Sequence, residues 1–272
     1  MSRFISPSQL ISLVGTQRCP RIVDVQREDV FRLQDRRIAG AVWRPHMDAA
    51  IWGPELAGET GIVVCCTQGH NVSEIAAALM KGQGLDVRIL EGGIDAYTAG
   101  GGLTVAQNAQ SVDPALLSPS VWATRARPKI DRIACPWLIR RFLDPDAVFH
   151  FVAPEWVKDV AEELNANPFD IEGVYYSHRE EKCSFDTMIE EFGLNDPALH
   201  HLAQIVRAAD TAKLKDEPQA HGLLALSLGL SAIEEDDLRQ MEKGMVFYDA
   251  LYGWCRFAQN ETHNWPAGAV RQ

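Results

Sequence analysis

The stretch that decides the fold of the first half of the chain is Ile62-Val63-Val64-Cys65-Cys66-Thr67-Gln68-Gly69-His70-Asn71-Val72-Ser73. An apolar run rich in β-branched residues ends at two cysteines, and a polar loop with one glycine follows. Residues Gly61 to Cys65 are typical of a buried strand. Residues Ser73 to Lys81 have one apolar face and predict a helix that is capped by Ser73. The sequence therefore predicts a strand, a loop and a helix, with a thiol where the strand ends.

The same alternation continues on both sides of this stretch. Further short apolar runs predict strands, and segments with a period near 3.6 predict helices. The predicted strands are Arg21–Val25, Gly40–Arg44 and Val87–Leu90, and the predicted helices are Pro7–Ile11, capped by Ser6, and Ile94–Ala99. Strands that alternate with helices favour an α/β domain with a mainly parallel sheet and flanking helices.

The character of the sequence changes after Gly100-Gly101-Gly102. Residues 105–120 carry Ser, Asn and Pro without a sustained period, which is typical of a linker. Beyond Trp122, helical periodicity dominates around one predicted strand, Val148–Val152. The predicted helices of this half are Cys135–Phe142, Pro154–Leu164, Phe185–Phe192, Pro197–Lys213, Gln219–Leu228 and Glu234–Phe257. We therefore predict an α/β domain at 1–104, a linker at 105–120, and a mainly α-helical (α+β) domain at 121–272.

Composition and charge exclude several classes of protein. The 272 residues are 46% hydrophobic, enough for one large core or two ordinary ones. The net charge of −11 argues against direct nucleic-acid binding, which needs concentrated Lys and Arg. No apolar run is long enough to cross a membrane, and the start of the chain has no secretion pattern. The six scattered cysteines indicate reduced thiols, so we expect a cytoplasmic protein. Whether it forms a homo-oligomer stays open.

Cys66 is the candidate nucleophile. A thiol at the amino end of a helix is stabilised as the thiolate by the helix dipole and by free backbone N–H groups. The neighbouring residues expected to surround an anion or a persulfide there are Gly69, His70, Asn71 and Ser73. The alternative is that both cysteines are small buried residues that end a strand. In either case we expect Cys65 to face the core.

A second group of candidates is cationic. Lys129, Arg132, Arg140 and Arg141 are concentrated in one segment of an otherwise acidic protein. Such residues can line an anion pocket, and we predict one here. The alternative is a solvated helix face that pairs with local acids, because most charge runs lie on the surface.

A third group has the side chains of a metal site. His178, Cys183 and Asp186 occur within nine residues, and Asp210 follows at the end of a predicted helix. Imidazole, thiolate and carboxylate together suit Zn or Fe. The group lacks a paired Cys-x-x-Cys motif, and a buried cysteine with a hydrogen-bonded histidine would explain the same residues.

Residues 5–104 resemble a rhodanese domain. The stretches that carry the resemblance are ISPSQLISLV from Ile5, IVDVQRED from Ile22, RRIAGAVWRP from Arg36, VVCCTQGHNVSEIAAALMKGQG from Val63 and VRILEGGIDAYTAGGG from Val87. The resemblance implies that Cys66 carries sulfur as a persulfide. The usual loop is Cys-x-x-Gly-x-Arg-Ser. Here, counted to Ser73, it is one residue longer and lacks the arginine. We therefore expect weak thiosulfate turnover, and a larger anion, another sulfur donor or a sensory role is favoured.

Residues 122–257 resemble the C-terminal domain of the ChrB family of chromate-resistance proteins. The stretches are WATRARPKIDRIACPWLIRRFLDPDA from Trp122, SHREEKCSFDTMIEEFGL from Ser177, IVRAADTAKL from Ile205 and GMVFYDALYGWCRF from Gly244. Family members are described as chromate-resistance or chromate-sensing regulatory proteins.

Together the two resemblances imply a sulfurtransferase linked to chromate or oxyanion resistance, with a small oxyanion or a sulfur donor as its ligand. The competing interpretation is a non-enzymatic sensor of an oxyanion or a metal. A plain scaffold is a third interpretation.

Overall fold

The structure, a computed structural model, describes residues 2–107 and 119–261. In this part of the chain, no helix combines the length and the hydropathy that a membrane crossing requires. The strands of the first half are β1 (Phe4–Ile5), β2 (Arg21–Asp24), β3 (Arg36–Ile38), β4 (Val42–Trp43), β5 (Ile62–Cys65), β6 (Val87–Leu90) and β7 (Thr104–Ala106). Its α-helices are α1 (Pro7–Leu13), α2 (Glu28–Arg32), α3 (Ala49–Trp52), α4 (Val72–Lys81) and α5 (Gly93–Ala99).

A parallel sheet organises this half. The strand order is β1-β6-β5-β2-β4, and all neighbouring pairs are parallel. The apolar strand β5 therefore lies at the centre of the sheet, as parallel strands covered on both faces do. The predicted α/β fold is confirmed. Strands β3 and β7 form a separate antiparallel pair.

The second half is helix-rich. Its α-helices are α6 (Asp131–Phe142), α7 (Val157–Glu163), α8 (Ser184–Glu191), α9 (Pro197–Asp210), α10 (Gln219–Ile233) and α11 (Asp237–Phe257). Its strands are β8 (Val121–Arg125), β9 (Val148–Val152) and β10 (Asn167–Pro168). The three strands form a parallel sheet of order β10-β8-β9. The sequence predicted β9 but not the central strand β8.

Three boundaries differ from the sequence predictions. Helix α4 begins at Val72 with Asn71 at the N-cap position, so Ser73 is not the cap. The reason is the positive φ of Asn71, 37°, which ends the loop two residues early. Helix α6 starts at Asp131, which places Pro136 inside it. Strand β7 pairs with β3 and extends the first unit past residue 104, and residues 108–118 of the predicted linker lie outside the described residues.

The two halves share one hydrophobic core. A single cluster of buried side chains joins Leu10 and Tyr97 of the first half to Trp137, Phe142 and Tyr252 of the second. Backbone hydrogen bonds also cross between the halves. Gly40 donates to the Phe142 carbonyl over 2.6 Å, and Ala106 donates to the Phe192 carbonyl over 2.9 Å. The halves are therefore packed as one body.

This packing predicts a specific cost for Gly15→Ala. Gly15 has a φ of 78°, and an added Cβ would lie 2.5 Å from the Phe142 ring across the boundary. Gly101 has nearly the same φ, 80°, with no atom within 4 Å of an added Cβ, so Gly101→Ala is the matched control. Overpacking should make Gly15→Ala about 1–3 kcal/mol less stable than the control in urea unfolding. Equal stabilities would show that the halves do not pack as described.

Candidate functional site

Cys66 lies at the carboxyl end of the central strand β5. Its side chain is 6% exposed, and the thiol donates to the His70 carbonyl over 3.4 Å. It lines a cavity of about 260 Å³ between the loop that ends at Val72 and the segment that carries Gln26 and Arg27. Cys65 is fully buried, as predicted. A thiol with access to a cavity is thus placed where the sequence predicted one.

Glycines fix the path of the thiol loop. A Cβ on Gly69 would lie 2.4 Å from the Leu90 carbonyl, and a Cβ on Gly93 would lie 2.3 Å from the Cys66 carbonyl. At this close approach the Cys66 carbonyl accepts a hydrogen bond from the Ile94 amide over 2.9 Å. The start of the loop is therefore fixed on α5, because the carbonyls of Cys66 and Thr67 accept hydrogen bonds from the amides of Ile94 and Asp95.

The loop leaves backbone donors without acceptors. Within the described residues, the N–H groups of residues 67–72 make no hydrogen bond to protein atoms. They include the amides of the predicted anion-binding residues Gly69, His70 and Asn71, at the positive end of the α4 dipole. Backbone N–H groups in such a turn bind anions. Ser73 is buried in the first turn of α4 instead.

The predicted extra loop residue belongs to helix α4. Because α4 starts at Val72, the loop after Cys66 ends at Asn71, which borders the cavity where the family pattern has arginine. A cation nevertheless reaches this cavity. The exposed residue Arg27, which sequence analysis did not single out, lines its opposite wall.

A buried hydrogen-bond chain supports the loop from the neighbouring strand. Asp24, at the end of β2, accepts hydrogen bonds from the backbone and side-chain amides of Gln26, both over 3.0 Å. Gln26 in turn accepts from the Thr67 hydroxyl over 2.9 Å. Burial raises the pKa of Asp24 to about 6. The sequence signal for this hydrogen-bonded group is an acidic residue at the end of a buried strand.

The predicted basic residues do not converge. Arg132 pairs with Asp170 over 3.3 Å, whereas Arg140 pairs with Glu242. Arg141 makes two 2.9 Å hydrogen bonds to Asp249. Arg132 and Arg141 are nine residues apart in α6, which places them on opposite faces of the helix. The half-buried Lys129 precedes this helix. These four residues therefore line no common pocket.

A histidine and three carboxylates meet in the second half. The Nε2 atom of His178 lies 3.5 Å from Asp131, 3.3 Å from Asp170 and 3.3 Å from Asp210, measured to carboxylate oxygens. Hydrogen bonds to these acids raise the pKa of His178 to about 12. Burial raises the pKa of Asp131 to about 6. Of the predicted metal ligands, His178 and Asp210 are therefore brought together.

Cys183 and Asp186 have another role in this structure. Cys183 is the N-cap residue of α8, and its thiol donates to Asp186 over 3.2 Å. The other oxygen of Asp186 accepts from Arg207 over 2.7 Å. Burial raises the pKa of Cys183 well above its usual value. The predicted thiolate is thus a capping thiol, and Asp131 and Asp170 take the places of these two residues in the cluster.

Comparisons with known proteins agree with this architecture. Residues 6–100 match the family model of the rhodanese-like domain, and residues 122–255 match the model of the ChrB C-terminal domain. Protein ChrB from Cupriavidus metallidurans is 35% identical over 151 residues, which are 54% of this chain and 44% of that protein. The chain therefore spans less than half the length of this curated relative.

Solved structures of rhodanese-type proteins resemble part of this chain. A rhodanese-related protein from Thermoplasma volcanium is 22% identical over 38% of this chain and 98% of its own, with a TM-score of 0.34. Thiosulfate sulfurtransferase from Pseudomonas aeruginosa is 24% identical over 38% of this chain and 19% of its own, with a TM-score of 0.30.

The site predicts an order of thiol reactivity. Cys66 lines the cavity, whereas burial raises the pKa of Cys19 and Cys255 to about 11 and that of Cys65 well above its usual value. Limited iodoacetamide treatment at neutral pH, followed by mass mapping, should label Cys66 ahead of these three. Labelling of Cys65 before Cys66 would show that Cys65, and not Cys66, faces the cavity.

Asp24 predicts a pH dependence of stability. Its folded pKa of about 6 exceeds the ordinary value of 3.8, so the folded state favours the protonated carboxyl. This stabilisation is complete below pH 4 and is lost as the pH rises through 6. Relative to Asp24→Asn, the wild-type chain should lose on the order of 2 kcal/mol of unfolding free energy between pH 4 and 7.5. A difference that does not change with pH would contradict the burial of this charge.

Proposed function

We propose that this chain, in which a rhodanese-like domain precedes a ChrB C-terminal domain, carries sulfane sulfur on Cys66 in chromate or oxyanion resistance. The observation that supports this most strongly is the thiol of Cys66 at a cavity edged by amides without acceptors. A nucleophilic sulfur needs access to a donor, and its anionic product needs hydrogen-bond donors. Both conditions are met at the same end of β5.

The proposed transfer has two steps. The Cys66 thiolate attacks the outer sulfur of a thiosulfonate-type donor such as thiosulfate, and a new sulfur–sulfur bond forms. The sulfur–sulfur bond of the donor breaks, and sulfite leaves with its electron pair. A nucleophilic acceptor, either cyanide or another thiolate, then attacks the outer sulfur of the persulfide and restores the Cys66 thiolate.

Two features of the cavity would hold the anionic donor. The free amides of residues 67–72 would stabilise the persulfide anion, and Arg27, on the opposite wall, would pair with the oxyanion part of the donor. Arg27 would thus take over part of the role that the family gives to the loop arginine. Its exposed position favours a weaker or broader preference among donors.

The ChrB-type half supplies the link to oxyanion resistance in this proposal. Its packing against the first half in one core supports a joint role for the two domains. A small oxyanion or a sulfur donor would be the ligand.

A sensor without turnover is the second candidate. Asn71, which borders the cavity in place of an arginine, favours it, because an amide holds an oxyanion without the charge that stabilises a leaving group. In that case the loop would bind the anion, and Cys66 would gain no sulfur.

Persulfide mapping tests the proposal. The wild-type chain, Cys66→Ser and the matched control Cys65→Ser would be incubated with thiosulfate and analysed by mass spectrometry, with thiocyanate release on addition of cyanide as the activity readout. We expect one added sulfur atom on Cys66 in the wild type and in Cys65→Ser, and none in Cys66→Ser. Arg27→Gln should raise the KM for the donor more than it lowers kcat.

Oxyanion binding without any added sulfur, over a range of donors, would contradict the carrier role and support the sensor. Sulfur on Cys65 would contradict the assignment of the nucleophile.

A further inference from the structure

We propose that Asp131, Asp170, His178 and Asp210 form a binding site for a divalent first-row metal ion of the Mn²⁺ or Fe²⁺ class. One donor atom each from Asp131, Asp170 and His178 lie within 4.8 Å of one another. The Asp210 carboxylate lies beside this group, 3.3 Å from the His178 ring nitrogen. This site is separate from the thiol cavity and independent of the proposed sulfur chemistry.

The spacing of the donor atoms fits a single ion. Oxygen ligands lie about 2.0–2.6 Å from divalent cations, so adjacent ligands of one ion are about 3 Å apart. The three oxygens that face the His178 nitrogen are 3.3–3.5 Å from it. These separations are close to those between adjacent ligands of one ion.

The carboxylate of Asp131 has one buried oxygen that no protein group among the described residues satisfies. Its side chain is 0% exposed, a position that is rare for an acid without a partner. Its Oδ2 atom, which faces His178, accepts from the Ser184 amide over 2.6 Å, and its Oδ1 atom is buried without any hydrogen-bond partner. A buried, unpaired carboxylate oxygen costs free energy unless a proton or a cation compensates it.

The nearby arginines do not remove this need. Arg125 and Arg132 both contact the Oδ2 atom of Asp170, whereas the Oδ1 atom of Asp170 faces His178 and accepts from the Ser184 hydroxyl over 2.9 Å. These contacts orient the carboxylate and leave one oxygen for an ion, as residues around metal ligands do.

The donor types select the class of metal. The sequence-based expectation of Zn or Fe included a thiolate, but Cys183 is engaged as the cap of α8. Carboxylates suit Mg²⁺, Ca²⁺ and Mn²⁺, and imidazole suits later first-row metals. A site with three carboxylates and one imidazole combines these two preferences, and Mn²⁺ and Fe²⁺ lie between the two groups of metals. We therefore use Mn²⁺ as the probe.

An ion at this site would be reachable. Asp170 and His178 line a cavity of about 720 Å³, which Arg125 and Lys158 also border. The cavity provides an entry path to Asp170 and His178. The two cations at its wall suit an anionic group of a ligand that reaches the metal.

The rival interpretation is that protonated His178 alone is the counter-ion of the three acids. One Nε2–H group can donate a linear hydrogen bond to only one of the three oxygens. The other two carboxylates would then have no hydrogen bond from His178. It predicts that the chain binds no Mn²⁺, which makes the two interpretations separable.

Metal binding to the full chain tests the proposal. Protein purified without a histidine tag would be stripped with a chelator, dialysed against MnCl₂ and analysed for bound Mn²⁺ by elemental analysis and electron paramagnetic resonance. We expect one Mn²⁺ per chain. His178→Gln and Asp170→Asn should weaken binding by at least about tenfold, with folding verified by circular dichroism.

Two control substitutions change residues near the site that are not proposed ligands. Glu172→Gln changes an exposed acid of the same cavity, and Cys183→Ser removes the capping thiol. Both should bind Mn²⁺ like the wild type. If Asp170→Asn does not fold, the half-exposed position of His178 keeps His178→Gln decisive. Absence of Mn²⁺ binding in the wild type, equal binding by His178→Gln, or loss of metal in Cys183→Ser would overturn the assignment.

Discussion

The buried guanidinium of Arg37 links the first half of the molecule to the second half, which is distant in sequence. Arg37 is 1% exposed, and its Nη2 atom donates to the Leu143 carbonyl of the second half over 3.5 Å. Burial lowers its pKa to about 10 against the attraction of Asp144 and then of Asp24. Asp24 accepts a hydrogen bond from the Gln26 side chain, which in turn accepts one from Thr67 in the thiol loop. A buried cation is tolerated only where acids compensate it, and removing one partner of such a group costs several kcal/mol. The first domain, the thiol loop and the second domain are therefore energetically linked.

Other contacts between the halves follow the same pattern. Arg21, at the start of β2, forms an ion pair with Asp146 across the boundary, and Arg36 donates to the Gly193 carbonyl over 2.6 Å. Around these polar contacts lies one apolar core that both halves build. Two chemically different sites are thus held on halves that pack together. One is formed by a thiol and backbone amides, and the other by carboxylates and an imidazole.

Much of this arrangement can be predicted from local sequence, and the rest depends on distant pairing. The periodicity around Cys66 is enough to place it at the end of a buried strand, because strand and helix periods are local properties. Strand β8 could not be recognised, because its sequence is less apolar than that of β9 and its place is set by pairing with β9 and β10. The acid cluster was only half predicted for the same reason. Its members Asp131 and Asp170 come from separate segments that the fold alone brings beside His178.

The central claim is that the two domains form one cooperative unit around Arg37 and the shared core. Differential scanning calorimetry of the full chain tests it most directly. The account predicts a single transition whose calorimetric and van't Hoff enthalpies agree, and Arg37→Met should shift this transition without splitting it. Two separable transitions in the wild-type chain, one for each half, would contradict the claim.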